Sequence, residues 1–177
     1  MAELCAEQGY EATKIADVVR RAHVARKTLY DNFSGKEELF LAAFDSAVAD
    51  ADAVVAEACE PIDAAEWEER AVTALRALLE YAAAHPAEAR LCLVEAPAAS
   101  AASSARYDAA VDSFISRLRR AVPPGLMRPA TLEEALIGGT LWIVQRQVRR
   151  GGAEEALDLL PELSEFVISP YRGVGKR

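Results

Sequence analysis

The chain of 177 residues is poor in the side chains from which catalytic and metal centres are usually built. It contains two histidines, His23 and His85, and three cysteines, Cys5, Cys59 and Cys92, which lie far apart in the sequence. The spacing of the cysteines fits no zinc site, and their odd number is typical of a reducing compartment. No glycine-rich phosphate loop or nucleophile–base pair is visible. We therefore predict a protein that is not an enzyme, with no catalytic residue, no metal site and no cofactor.

Glycine, proline and long apolar runs are also scarce. Nine glycines and eight prolines leave long stretches free to form helices, and no stretch alternates convincingly as a strand. We find no signal-peptide pattern and no apolar run long enough to cross a bilayer. These absences favour an all-α protein of the cytoplasm with no membrane partner.

Positive charge is scarce in the chain as a whole but concentrated in one segment near the N-terminus. The formal net charge is −8, yet the segment from Thr13 to Lys36 carries a local charge of +4. Its cations are Lys14, Arg20, Arg21, Arg26, Lys27 and Lys36, and its acids are Asp17 and Asp31. An acidic protein with one basic segment is arranged to bring that segment to phosphates.

The apolar pattern of the same segment predicts two short helices on either side of a break at Ala22–His23. The apolar residues are Ile15, Val18 and Val19 before the break, and Val24, Leu29 and Phe33 after it. Helices this short must pack on each other, which turns a row of donors on the second helix outward. That row consists of Arg26, Lys27, Thr28, Tyr30 and Asn32. Such a row is the arrangement that enters a major groove; the alternative is a solvated charged face on an ordinary helix.

The run from Gly9 to Phe40 resembles the DNA-binding signature of the tetracycline-repressor (TetR) family. The matching residues are Gly9-Tyr10, Thr13, Thr28-Leu29-Tyr30, Phe33 and Lys36-Glu37 with Leu39. The resemblance implies a three-helix head over residues 1–44, whose first helix looks truncated, and a helical body over residues 45–177. The body would bind a small effector and form a homodimer.

The residues expected to contact DNA fall into two groups. The resemblance implies that Thr28, Tyr30 and Lys36 contact phosphates, which fixes the register without reading sequence, and Lys14 is placed to reach the DNA backbone. The candidates for base edges are Arg26, Lys27 and Asn32. An alternative for Asn32 is that it bonds to its own backbone at the end of the helix.

Three positions in the turn and at the next helix start carry specific expectations. His23 stands where the family usually has glycine, so a positive φ angle there would strain it. Ala25 stands where a capping serine is usual, which removes a bond of about 1 kcal/mol. Ser34 and Glu37 form a capping box, so a helix is predicted to begin near Gly35.

Two apolar stripes in the last third of the chain suggest a dimer interface. The first stripe consists of Leu136, Gly139, Ile143 and Gln147, and the second of Leu160, Leu163 and Val167. The pair Gly138–Gly139 predicts the close approach of another backbone, because glycine is otherwise costly inside a helix. Two such hairpins around a twofold axis would form a four-helix interface, which the resemblance also implies. The alternative is that the stripes close the monomer core.

A twofold dimer would place two recognition helices about 34–36 Å apart, so the expected partner is double-stranded DNA with a palindromic operator. The resemblance further implies an effector pocket in the body. Its candidate walls are Trp67, Leu78, Tyr81, Leu91, Glu95, Tyr107, Phe114 and Trp142. Their apolar and aromatic character favours an apolar effector. We therefore predict a repressor that this effector releases from DNA; the alternative is a constitutive DNA-binding dimer with no inducer.

Overall fold

The computed structural model describes residues 1–123 and 129–172, and within these residues the fold is all-α, as predicted. The helices are α1 (Ala2–Ala12), α2 (Ile15–Ala22), α3 (Arg26–Asn32), α4 (Lys36–Cys59), α5 (Trp67–Ala84), α6 (Pro86–Arg90), α7 (Ala96–Ala99), α8 (Ala101–Ala121), α9 (Leu132–Arg149) and α10 (Leu160–Arg172). A π-helical turn, Leu91–Glu95, joins α6 to α7, and a 3₁₀ helix, Ala153–Leu159, precedes α10.

Helices α1, α2 and α3 form a thin head around a core of three buried side chains. These are Leu4, Val18 and Leu29. The prediction that Val24 continues the buried face is wrong, because Val24 lies in the turn between α2 and α3 and is 40% exposed. The head is therefore a small layer that depends on its neighbours for stability.

Helix α4 connects the head to the body. Its residues Phe40 and Phe44 are buried in a cluster that also contains Cys5 and Tyr10 from α1, and Leu91 from the π-helical turn. The predicted domain boundary after residue 44 falls inside this helix. A single rigid element thus begins beside the head and ends in the body.

The π-helical turn has a local cause in Pro97. Proline has no N–H, and its ring crowds the carbonyl four residues earlier, which here belongs to Leu93. The backbone widens ahead of the proline, and the Ala96 N–H bonds to the Leu91 carbonyl, five residues back. Such widened turns interrupt an α-helical ladder and re-aim the side chains they carry.

The two predicted interface stripes face largely inward. Leu136, Leu160, Leu163 and Val167 are all buried within the body of a single chain. The structure therefore follows the alternative interpretation at these positions: they close the monomer core. A partner would have to contact other residues of α9 and α10.

Gly139 also differs from the expectation of a second backbone. A Cβ atom at this position would lie 3.1 Å from Cζ of Phe166, a residue of α10 in the same chain. The glycine thus makes room for an aromatic side chain of its own monomer. Its neighbour Gly138 faces open space.

Candidate nucleic-acid interface

The turn between α2 and α3 depends on a left-handed residue. Helix α2 ends at His23, which has φ +53° and ψ +34°, and the His23 N–H bonds to the Val19 carbonyl. This position therefore has the positive φ angle that strains a histidine relative to the glycine usual in the family. Ala25 precedes α3 and supplies no side-chain cap, also as expected. Helix α3 is therefore held mainly by Leu29, which is 5% exposed and packs into the head.

The predicted outward row lies on the exposed side of α3. Its members Arg26, Lys27, Thr28, Tyr30 and Asn32 are all exposed, and so is Lys14 at the start of α2. Because the one buried side chain of this helix points inward, the opposite face is free for a ligand.

Several of these side chains already have local partners. The Arg26 guanidinium lies 5.5 Å from the centroid of the Tyr30 ring, and the Asn32 side-chain amide donates to the Thr28 carbonyl at 2.7 Å. Asn32 therefore follows the alternative interpretation, with its amide bound to its own backbone. Within residues 1–123 and 129–172, Lys27 makes no hydrogen bond or ion pair, so its ammonium is the freest donor of the row.

Two of the six cations in the basic segment are neutralised by carboxylates. Arg21 makes a two-pronged contact with Glu7, at 2.9 and 2.7 Å, and a further bond to Glu3 at 3.0 Å. This pairing lowers the pKa of Glu7 and raises the pKa of Arg21. Arg20 pairs with Asp17 at 2.7 Å. The positive charge that remains is centred on Lys14 and the N-terminal end of α3.

Lys36 ties the start of α4 to the end of α1. Its ammonium nitrogen lies 3.1 Å from the Tyr10 carbonyl oxygen, 3.4 Å from the Glu11 carbonyl oxygen and 4.0 Å from the Tyr10 ring centroid. In this conformation Lys36 orients α1 against α4. A phosphate contact would require its side chain to turn outward.

The capping box predicted for Ser34 and Glu37 does not form, since Gly35 is the residue that precedes α4 and no side chain caps the helix. Ser34 donates through both its backbone N–H, at 2.7 Å, and its hydroxyl, at 2.6 Å, to the carboxylate of Glu38. These bonds lower the pKa of Glu38. The predicted partner Glu37 is therefore wrong, because the helix begins at Lys36 and the side chain one position further on reaches back to Ser34.

The structure does not gather the eight predicted effector residues around one cavity. Tyr107 and Trp142 share a cleft of about 420 Å³ between α8 and α9, which Val111, Leu141 and Gln145 also line.

The other six effector candidates lie elsewhere. Leu91 is fully buried in the cluster between head and body, and Glu95 accepts a hydrogen bond from the Tyr10 N–H. Trp67 packs edge-on against Tyr171. The remaining three, Leu78, Tyr81 and Phe114, are half-buried.

Sequence reasoning missed two contacts that matter for this interface. Glu95, a predicted wall of the effector pocket, accepts a hydrogen bond from a head residue 85 positions away in sequence. Arg21 contributes to the local charge of +4 in the sequence, but its partners Glu3 and Glu7 lie outside the basic segment. In the sequence, an acidic pair spaced i, i+4 on α1 is the only signal for this pairing.

The described part of the chain offers no site for a metal ion, since no three His, Cys, Asp or Glu side chains there come together as ligands. Within the same residues, no helix combines the length and the apolarity that crossing a bilayer requires.

The sequence of the head and the fold of the chain each resemble known proteins. Residues 2–43 match the model of the bacterial regulatory proteins, tetR family. Over 58 residues the chain is 38% identical to YezE, an uncharacterised HTH-type transcriptional regulator of Bacillus subtilis (strain 168). This match spans 33% of the chain and 30% of that relative. The fold matches a TetR-like transcriptional regulator from Rhodococcus sp. RHA1 with a TM-score of 0.73 and 19% identity, over 97% of this chain and 91% of that chain.

Proposed function

We propose that this chain, whose residues 2–43 match the model of the bacterial regulatory proteins, tetR family, is a DNA-binding transcriptional regulator. More specifically, it is a repressor that binds a palindromic operator as a homodimer and leaves it when a small apolar molecule binds the body. The observation that carries the proposal is the exposed polar face of α3, which is opposite the buried Leu29 and includes the unpaired Lys27.

The chemistry of each side chain on α3 suits it to contact either bases or phosphates. Lys27 and Arg26 suit the acceptor atoms of guanine in the major groove. Thr28 and Tyr30 have hydroxyl groups that suit phosphate oxygens, and Lys14 adds a cation at the edge of the same surface. Asn32 would contact adenine only after leaving the Thr28 carbonyl.

The exposed sides of α9 and α10 support the proposed homodimer. Trp142 on α9 is 57% exposed and Phe166 on α10 is 41% exposed, which is unusual for such large apolar side chains. Arg146 and Arg149 follow Trp142 at helical spacing, while Glu162 and Glu165 precede Phe166. A twofold axis that places α9 of one protomer against α10 of its partner would join opposite charges around the aromatic pair.

The cleft between α8 and α9 supports a role for a small apolar molecule, because Tyr107, Val111, Leu141 and Trp142 supply apolar and aromatic walls. The separation of the other predicted pocket residues favours the second candidate function, a constitutive DNA-binding dimer. Thermal-shift screening against apolar compounds distinguishes the two, because a ligand that binds only the folded protein raises the melting temperature. An effector-controlled repressor also loses operator affinity in the presence of such a compound.

The proposed DNA binding is tested by selecting bound sequences from a random DNA pool and comparing variants on the selected operator. Tyr30→Phe should weaken binding to operator and random DNA about equally, whereas Lys27→Ala should relax sequence preference. Arg120→Ala is the matched control for Lys27→Ala, because it removes one positive charge from α8 instead of α3. The operator affinity should fall with salt with a log–log slope of about −5 if about six phosphates are neutralised. A flat salt response, or no enriched sequence, would rule the proposal out.

A further inference from the structure

The π-helical turn Leu91–Glu95 lies where the head, the body and the cleft between α8 and α9 meet. Leu91 is fully buried among head and α4 residues, and Leu93 packs at the edge of the main body core. Glu95 closes the turn. Nearby residues of one short segment thus pack against different parts of the molecule.

The π-helical turn contacts the head through a hydrogen bond from the backbone N–H of Tyr10. Gly9 has φ +81° and ψ +162° and breaks α1, so the Tyr10 N–H is directed away from the helical ladder. It donates to the Glu95 carboxylate at 2.9 Å. The Glu95 side chain is only 14% exposed, and bonds to charged acceptors at such sites are among the stronger ones in proteins.

On the cleft side, the contact is made by a side chain of α9. Pro97 offers no N–H to the Leu93 carbonyl, and the Gln145 carboxamide donates to that carbonyl. Gln145 is also one of the residues that line the cleft. A molecule that fills the cleft and bonds to this carboxamide would compete directly with the π-helical turn.

We propose that Glu95 and Gln145 are positioning residues, which together couple occupancy of the cleft to the orientation of the DNA-binding head. Gln145 holds the π-helical turn through Leu93, and the turn presents Glu95 to the Tyr10 N–H. When a ligand takes the Gln145 carboxamide, the turn relaxes and the head loses its fixed angle to α4. This mechanism rests on the proposed function and specifies how the cleft would control it.

The coupling is tested without DNA by measuring amide exchange at Tyr10 in the full chain by NMR. Glu95→Ala should speed exchange of this amide about tenfold or more, because a bond to a charged acceptor is lost. Glu95→Gln should speed exchange less than Glu95→Ala does, because its carboxamide oxygen still accepts although the charge and the ion pair with Arg90 are lost. Gln145→Met, which keeps the side-chain size but removes the donor, should speed exchange several-fold although it lies in α9.

Gln147→Met is the matched control for Gln145→Met. It makes the same chemical change on the same helix, but the Gln147 amide bonds to Glu155 and not to the π-helical turn. The amide of Leu79, buried in α5, reports any global loss of stability in each variant. Unchanged Tyr10 exchange in Gln145→Met, or equal acceleration in Gln147→Met, would overturn the coupling.

A second measurement separates this mechanism from the proposed function. Gln145→Met and Glu95→Ala should lower affinity for the selected operator several-fold while affinity for random DNA stays within about twofold. If the wild-type chain binds no DNA, the proposed function fails and the exchange data still decide whether cleft and head are coupled. If the wild-type chain binds its operator and neither variant changes that affinity, the coupling has no role in DNA binding and the inference is wrong.

Discussion

Helices α3 and α10 are stabilised in different ways, although each is the second helix of a pair, α2–α3 in the head and α9–α10 in the body. Helix α3 has seven residues and buries only Leu29. Helix α10 has thirteen residues and buries five side chains, namely Leu160, Leu163, Val167, Ile168 and Tyr171. Since each fully buried aliphatic side chain contributes about 1.5–3 kcal/mol, the hydrophobic contribution of α10 is several times larger. The difference indicates that α3 leaves most of its surface for a ligand, whereas α10 builds the core.

The largest expected effect is on the body. Leu163→Ala removes a side chain that is 2% exposed in the main core, and it should lower the free energy of unfolding by about 2–5 kcal/mol. Urea denaturation followed by far-UV circular dichroism measures this change. A loss below about 1 kcal/mol would mean that the body core tolerates the cavity and that burial stabilises α10 little more than it stabilises α3.

Leu29→Ala tests the head in the same way. It should speed amide exchange in α2 and α3 about thirtyfold, which corresponds to about 2 kcal/mol, while the main urea transition moves little. The exchange rates of α5 amides serve as the internal reference. If Leu29→Ala shifts the main transition as far as Leu163→Ala does, head and body unfold as one cooperative unit.

A smaller effect is expected from residues with positive φ angles. His23→Gly should stabilise the head by about 1 kcal/mol, because glycine adopts the left-handed conformation without strain. The reverse change in the body, Gly151→Ala at φ +82°, should destabilise by about the same amount. Head amide exchange measures the effect of His23→Gly, and thermal denaturation measures the effect of Gly151→Ala. A neutral or destabilising result for His23→Gly would show that the imidazole makes a contact that offsets the strain.

The smallest effect is expected on acidification. The bonds from Ser34 lower the pKa of Glu38 below its ordinary value of 4.5, and the pair with Arg21 lowers that of Glu7. A carboxylate whose folded pKa is lowered stabilises the fold fully above its unfolded pKa and loses that contribution as the pH falls through the folded value. The protection of head amides, that is, the intrinsic exchange rate at each pH divided by the observed rate, should therefore fall below about pH 4.5 before the protection of body amides does. Glu38→Gln should reduce this pH dependence, and an unchanged profile would contradict the assignment.

Much of the head was predictable because its determinants lie close together in sequence. The spacing of Ile15, Val18 and Leu29 predicts two short helices with a break between them at Ala22–His23. Side chains on the far side of such a helix must be exposed, so the outward row of α3 followed directly. The capping box predicted for Ser34 and Glu37 is wrong: Gly35 precedes the helix, and Ser34 donates to Glu38 instead, since a shift of one residue at a helix start changes which side chain reaches back.

In the body, the sequence determined that α9 and α10 are helices with apolar stripes, whereas the tertiary structure decided where those stripes point. Leu136 and Leu163 could face a partner or the core, and only the packing of the other helices turned them inward. The bond between Glu95 and the Tyr10 N–H, and the pairing of Arg21 with Glu7, join residues 85 and 14 positions apart. Helical periodicity and turn stereochemistry depend on near neighbours, so a sequence displays them. The orientation of a helix and the partner of a charge depend on which distant segments pack beside them, and folding alone settles that.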